Sequence, residues 1–164
     1  MLTQNTALLI IDVQQGFDEP MWGERNNPDA EANIALLLKK WRAEKRPVIH
    51  VQHCSVNPIY PLHPDNAGNA FKPEATPIAG EPIFQKIVNS AFIGTNLEEY
   101  LHEQEIEDLV IVGLTTDHCV STSTRMAGNL GFNVQLVSDA TATFSKTGPD
   151  GEEYSADEIH VINL

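Results

Sequence analysis

The feature that most limits what this chain can become is a series of short, unbroken apolar runs, each closing on polar residues. The first reads ALLII over Ala7–Ile11 and closes on Asp12; another, DLVIVGL, ends at Leu114 and closes on Thr115. A half-exposed strand alternates apolar and polar residues, whereas a strand covered on both faces reads as a continuous apolar run. PVIHVQH at 47–53, EPIFQK at 81–86 and NVQLVSDA at 133–140 complete a set of five expected strands. Helix-period segments lie between them, which is the pattern of an α/β fold built on a mainly parallel sheet.

The first expected helix has Asn27 as its cap, Pro28 in its first turn, and Ile34, Leu37, Leu38 and Trp41 on one face. A capping box of Thr95 and Glu98 is expected to open the second, with Leu97, Tyr100 and Leu101 inward. The third runs through DHCVSTSTRMAGNLG and ends at Gly131. Residues 54–82 break the pattern, with prolines at 58, 61, 64, 73, 77 and 82. A loop this long in a compact fold is usually functional. Ile59, Tyr60 and Phe71 argue for a packed lid or subunit contact over a loose insertion.

At 164 residues the chain fits one compact domain over residues 1–164. Ten Lys and Arg stand against 23 Asp and Glu, a formal charge of −13 that disfavours a nucleic-acid partner. No apolar stretch is long enough to span a bilayer and no basic leader precedes the first run, so a cytoplasmic protein without a membrane partner is expected. Cys54 and Cys119 are too few for a disulfide scaffold, and a reducing compartment disfavours pairing them.

Open α/β sheets carry their sites beyond the carboxyl ends of the strands. Asp12, Lys86 and Cys119 each occupy such an end. Singly, each has a plain explanation: a turn aspartate, a solvated lysine, a small buried thiol. The surroundings of Cys119 favour chemistry. A helix N-terminus lowers a thiol pKa and offers free N–H groups to an oxyanion. Ser121, Thr122, Ser123 and Thr124 are also weak helix formers, as expected where function or tight packing overrides propensity. An ammonium would stabilise the thiolate while a carboxylate takes and returns the proton. The helix dipole and Lys86 are expected to outweigh burial and Asp12, giving a net depressed thiol pKa. On that view Cys119 labels before Cys54, and Lys86→Met raises the thiol pKa without unfolding the chain.

IIDVQQGF, KIVNSAFIGTNLEEYL, VIVGLTTDHCVSTSTRMAGNLGFNV and VSDATATF, in that order, resemble the isochorismatase-like cysteine hydrolases over nearly the whole chain. The resemblance implies a three-layer α/β/α sandwich around a mainly parallel β-sheet. It implies a catalytic triad of Asp12, Lys86 and Cys119, a cis peptide at Leu114–Thr115, and an oxyanion hole from the amides of Thr115 and Cys119. The implied activity is hydrolysis of a C–N bond in a small amide or carbamoyl compound through a covalent acyl-enzyme. Alternatives are isochorismate-type vinyl-ether hydrolysis and an idle binding or assembly role. Phe17, Trp22, His53, Asn89, Phe92 and His118 are candidate pocket residues for a small-molecule substrate.

The nicotinamidase branch binds zinc through an Asp-x-His pair that VQHCSVN lacks. His50 and His53 should point to opposite faces of their strand, so neither a metal nor another cofactor is expected. The loop and the resemblance together imply a homo-oligomer, a dimer or larger. Family members usually continue past a segment like DEIHVINL into a further strand, whose absence here would leave a sheet edge open.

Overall fold

The computed structural model describes residues 2–164. Five parallel strands form one sheet in the order β3-β2-β1-β4-β5: β1 Ala7–Ile11, β2 Val48–His53, β3 Ile83–Lys86, β4 Asp108–Leu114 and β5 Asn133–Ala142. Helices α1 (Ala30–Ala43), α2 (Leu97–Glu103) and α3 (Ser121–Asn129) cover its two faces. A two-stranded ribbon of β6 (Lys146–Thr147) and β7 (Glu153–Tyr154) precedes α4, Ala156–Ile162. The α/β class and the mainly parallel sheet expected from the sequence are the ones observed.

Every residue of β1 is buried because the strand is central and sandwiched. Leu8 and Ile10 face Ile34, Leu38 and Trp41 of α1 in one core. Ala7, Leu9 and Ile11 face the other, with Leu97 and Leu101 of α2 and Ala127 of α3. This two-sided packing is what a continuous apolar run encodes.

Two helix starts differ from expectation. Asn27 does not cap α1; its Nδ2 donates to the Ser138 and Thr141 carbonyls at 2.9 and 2.7 Å, bracing the end of β5. Thr95 forms no capping box with Glu98, because its hydroxyl donates to the Ala91 carbonyl at 2.6 Å. The capping box lies instead at Ser155 and Glu158, opening α4. At the other end of α3 the expectation holds. Gly131, at φ +94°, closes the helix with Gly131 N–H on the Gly128 carbonyl and Phe132 N–H on the Ala127 carbonyl.

The Pro-rich loop contains only two short 3₁₀ turns, Ala67–Asn69 and Pro73–Ala75, yet it is firmly tied down. Asn69 Nδ2 donates to the Leu62 and His53 carbonyls at 2.7 and 3.0 Å, and Gln14 Nε2 reaches the Asn69 carbonyl at 2.8 Å. Lys72 sits between Asp18 and Glu31, at 2.5 and 2.8 Å, and Arg25 closes on the same Glu31. The loop is thereby fixed to α1 and to the turn carrying Phe17. Among the described residues no helix is long and apolar enough to cross a membrane.

Candidate active site

Asp12, Lys86 and Cys119 meet at the carboxyl edge of the sheet. Asp12 follows β1 in the left-handed region, φ +51°, a conformation aspartate tolerates better than most residues. Its N–H donates to the Val51 carbonyl at 3.0 Å, fixing the bend against β2. Lys86 ends β3, which is separated from β1 by β2. Two strand spacings are about 9.6 Å, a gap that lysine's long side chain and the aspartate carboxylate can bridge together. Lys86 Nζ lies 2.5 Å from Asp12 Oδ2 and 3.3 Å from Cys119 Sγ. It also lies 3.1 Å from His53 Nδ1 at the end of the intervening strand, and 3.1 Å from the Val88 carbonyl.

An ammonium has three hydrogens and no lone pair, so these four acceptors compete for it. His53 Nδ1 can take part only as a lone-pair acceptor, and burial together with the Lys86 charge lowers the ring's pKa. For Lys86, burial favours loss of the proton, but the Asp12 and Cys119 charges outweigh it and raise the pKa above its ordinary value. Donor atoms of Asp12, His53 and Cys119 lie within 4.8 Å of one another, the clustering a metal ion would need. The set does not fit one: the Lys86 ammonium already contacts all three, at 2.5, 3.1 and 3.3 Å, where a second cation would be repelled.

Cys119 lies in a π-helical turn, Thr116–Val120, that leads into α3. His118 and Val120 N–H groups close this turn on the Thr115 carbonyl at 3.1 and 3.2 Å, skipping the Cys119 amide. The Leu114–Thr115 peptide is cis, and Thr115 N–H has no hydrogen-bond partner among the described residues. Ser123, wholly buried in α3, accepts the Ala91 N–H at 3.0 Å and so ties this helix to the segment after Lys86. Its weak helix propensity is the cost of that tie.

The expected depression of the Cys119 pKa is corrected by the structure. The thiol is 8% exposed. Burial first, then the Asp12 charge, push its pKa well up, and Lys86 offsets only part of this. Burial likewise raises the Cys54 pKa.

A cavity of about 430 Å³ opens above the sulfur. Phe17, Trp22, His53, Asn89 and His118 line it, as expected, and Asn89 Oδ1 is 3.8 Å from Cys119 Sγ. Phe92 does not. It is buried in the core beneath α2 and α3, its ring 6.1 Å from that of Phe132, because the Ser90 and Thr95 hydrogen bonds turn the segment inward. Sequence reasoning missed Tyr60, Leu62, Phe144 and Lys146. The aromatic closing VSDATATF was the available signal for Phe144; nothing local marked Lys146. His50 faces away from the cavity, bonded to Glu81 at 2.8 Å.

The model of the isochorismatase domain matches residues 6–158. The chain belongs to the isochorismatase family. It is 51% identical over 163 residues to the isochorismatase family protein YrdC of Bacillus subtilis, covering 99% of this chain and 87% of that protein. A solved isochorismatase-family structure from Chromobacterium violaceum superposes with a TM-score of 0.96 at 46% identity, over 100% of this chain and 85% of that one. Nicotinamidase 3 of Arabidopsis thaliana is 35% identical over 66 residues, 40% of this chain and 33% of its own length. The protein is a hydrolase of this family, with amidases among its relatives.

Proposed function

We propose that this hydrolase cleaves the C–N bond of a small amide or carbamoyl compound, with Cys119 as nucleophile, Asp12 as general base and acid, and Lys86 as electrostatic partner. One observation carries the reading: a buried ammonium in contact with a carboxylate and with the thiol that lines a substrate-sized cavity. A binding module needs none of these three groups there. The kinship to a nicotinamidase supports amide chemistry.

As the sulfur attacks the substrate carbonyl, its proton passes to Asp12, and Lys86 balances the charge moving between them. The Thr115 and Cys119 amides are the donors suited to the resulting oxyanion. Collapse breaks the C–N bond, and the amine leaves with the proton held by Asp12. Water then attacks the thioester, giving its proton to Asp12. The acid departs as the proton returns to the sulfur. The raised thiol pKa suits this order, because transfer is coupled to attack instead of preceding it.

Assay of a panel of small amides, ureas and carbamoyl compounds, followed by mass spectrometry of the quenched protein, tests the proposal. Turnover that vanishes in Cys119→Ala, with an acyl adduct on the Cys119 peptide, is expected. Full turnover with Cys119 blocked would overturn it and favour vinyl-ether chemistry, which needs an acid more than a nucleophile.

A further inference from the structure

The cavity above Cys119 is charged in one direction. Of the chain's 23 Asp and Glu none lines its wall, Asp12 lying behind the sulfur and paired with Lys86, whereas Lys146 does line it. Lys146 begins β6, two residues past Phe144, and its side chain is 40% exposed. Its one polar partner among the described residues is Asp117 Oδ2, at 2.9 Å. Two of the three ammonium hydrogens are therefore free for an incoming acceptor.

Asp117 is itself committed. Thr143 Oγ1 donates to its Oδ1 at 2.5 Å, and Oδ2 receives Lys146, with His118 Nε2 3.5 Å away. Nine-tenths buried below the rim, this carboxylate holds Lys146 in place without presenting a free negative group to the cavity.

The adjoining wall is aromatic. Phe17, Trp22 and Phe144 pack with ring centroids 5.2–6.3 Å apart. The Trp22 N–H is used on the Gly16 carbonyl at 2.8 Å, so its ring offers only apolar surface. Such a wall alone would suit a flat apolar group or, through its π faces, a cation. Lys146 beside it opposes the cation and favours an anion. A single ammonium matches a monoanion; a phosphate dianion would call for more positive charge than this rim holds.

We infer that Lys146 is a specificity-determining residue, and that the substrate is a small monocarboxylate whose carboxylate binds Lys146 while its apolar part rests on Phe17, Trp22 and Phe144. This rests on the amide-hydrolase reading of the same site and adds the charge class of its substrate.

The test is a binding measurement that needs no turnover. Trp22 fluorescence is titrated with benzoate, benzyl alcohol and benzylammonium, three ligands alike in ring and different in charge. A Trp22→Phe protein assigns the signal. Benzoate is expected to bind about tenfold more tightly than benzyl alcohol, the scale of one partly exposed charge-assisted contact, and benzylammonium most weakly. The benzoate advantage should fall within about twofold in Lys146→Met and return in Lys146→Arg, as loss and restoration of that contact require. Equal binding of the three, preference for benzylammonium, no saturable binding of any, or a benzoate advantage that survives Lys146→Met each overturns the inference. Because Cys119→Ala turnover is read separately, the cysteine mechanism can fail while the anion preference stands, and the reverse.

Discussion

Lys86 Nζ lies 2.5 Å from Asp12 Oδ2, and neither side chain has any solvent-exposed surface. Removing one member of such a pair strands the other charge in the core, typically at a cost of about 3–5 kcal/mol. Lys86→Met is therefore expected to lower stability by that order, contrary to the sequence-based expectation that the fold is indifferent to it. Asp12→Asn combined with Lys86→Met removes both charges and should be more stable than Lys86→Met alone. Urea denaturation of the four proteins of this cycle measures the coupling directly.

Asp12→Asn separates chemistry from thiol ionisation. The Asp12 charge is the second cause, after burial, of the raised Cys119 pKa, and Lys86 acts against both. Neutralising Asp12 should let the thiol ionise at lower pH, so iodoacetamide labels Cys119 faster at pH 8. Turnover should fall by about 10²–10⁴-fold, because the proton acceptor is gone. Labelling that slows in Asp12→Asn would mean the carboxylate does not hold the thiol protonated.

The strands were legible because a strand buried on both faces writes its environment into its own residues, as ALLII and DLVIVGL do. The strand-end rule then brought Asp12, Lys86 and Cys119 to one edge of the sheet. What failed depends on partners distant in sequence. Asn27 looks like a helix cap, but carbonyls more than a hundred residues away claim its amide. Phe92 sits three residues from Asn89, yet one faces the core and the other the cavity, and nothing in loop sequence says which way a ring turns. Lys146 lies past the end of β5 and lines the cavity beside Phe144, a placement set by how the chain turns after the sheet and not by any local pattern. The thiol pKa was misjudged because burial depth is a tertiary quantity, and here it outweighs the helix N-terminus.

Glu81 links the Pro-rich loop to the sheet. It accepts from Arg42 Nε at 2.7 Å, from the wholly buried His50 at 2.8 Å and from the Ile78 N–H at 3.0 Å. Burial tends to raise its pKa, but these donors, Arg42 foremost, bring it down to about 2. A carboxyl with a depressed folded-state pKa contributes stability that is present above its unfolded value, 4.5, and lost as pH falls toward 2. Between those limits the unfolded chain binds the extra proton, so stability rises with pH. Glu81→Gln is expected to reduce stability at neutral pH and to flatten its pH dependence across this window. Thermal melts of both proteins from pH 2 to 5 read the difference in slope; parallel curves would show that the ion pair contributes nothing to the acid limb.

The last prediction concerns the strand contact behind the site. Gly113 pairs with Ile11 and adopts φ +129°; a Cβ added there would stand 2.0 Å from the Ile11 carbonyl oxygen and 2.7 Å from its nitrogen. Both are backbone atoms of the central strand, so no flexible side chain can yield. Relief requires β4 to move off β1 between Asp12 on one strand and the Thr115 amide on the other. Gly131 is an internal control, with φ +94° but no atom within 4 Å of the added Cβ. Gly131→Ala should cost about 1–2 kcal/mol, the backbone strain alone. Gly113→Ala adds overpacking to strain, about 1–3 kcal/mol more, and should destabilise by roughly twice as much or prevent folding. In any folded fraction, displacement of Asp12 from Cys119 should also cut turnover, which Gly131→Ala should leave intact. Urea midpoints and turnover of the two variants decide the matter. Equal midpoints with full activity in Gly113→Ala would show that the strands can part without disturbing the site.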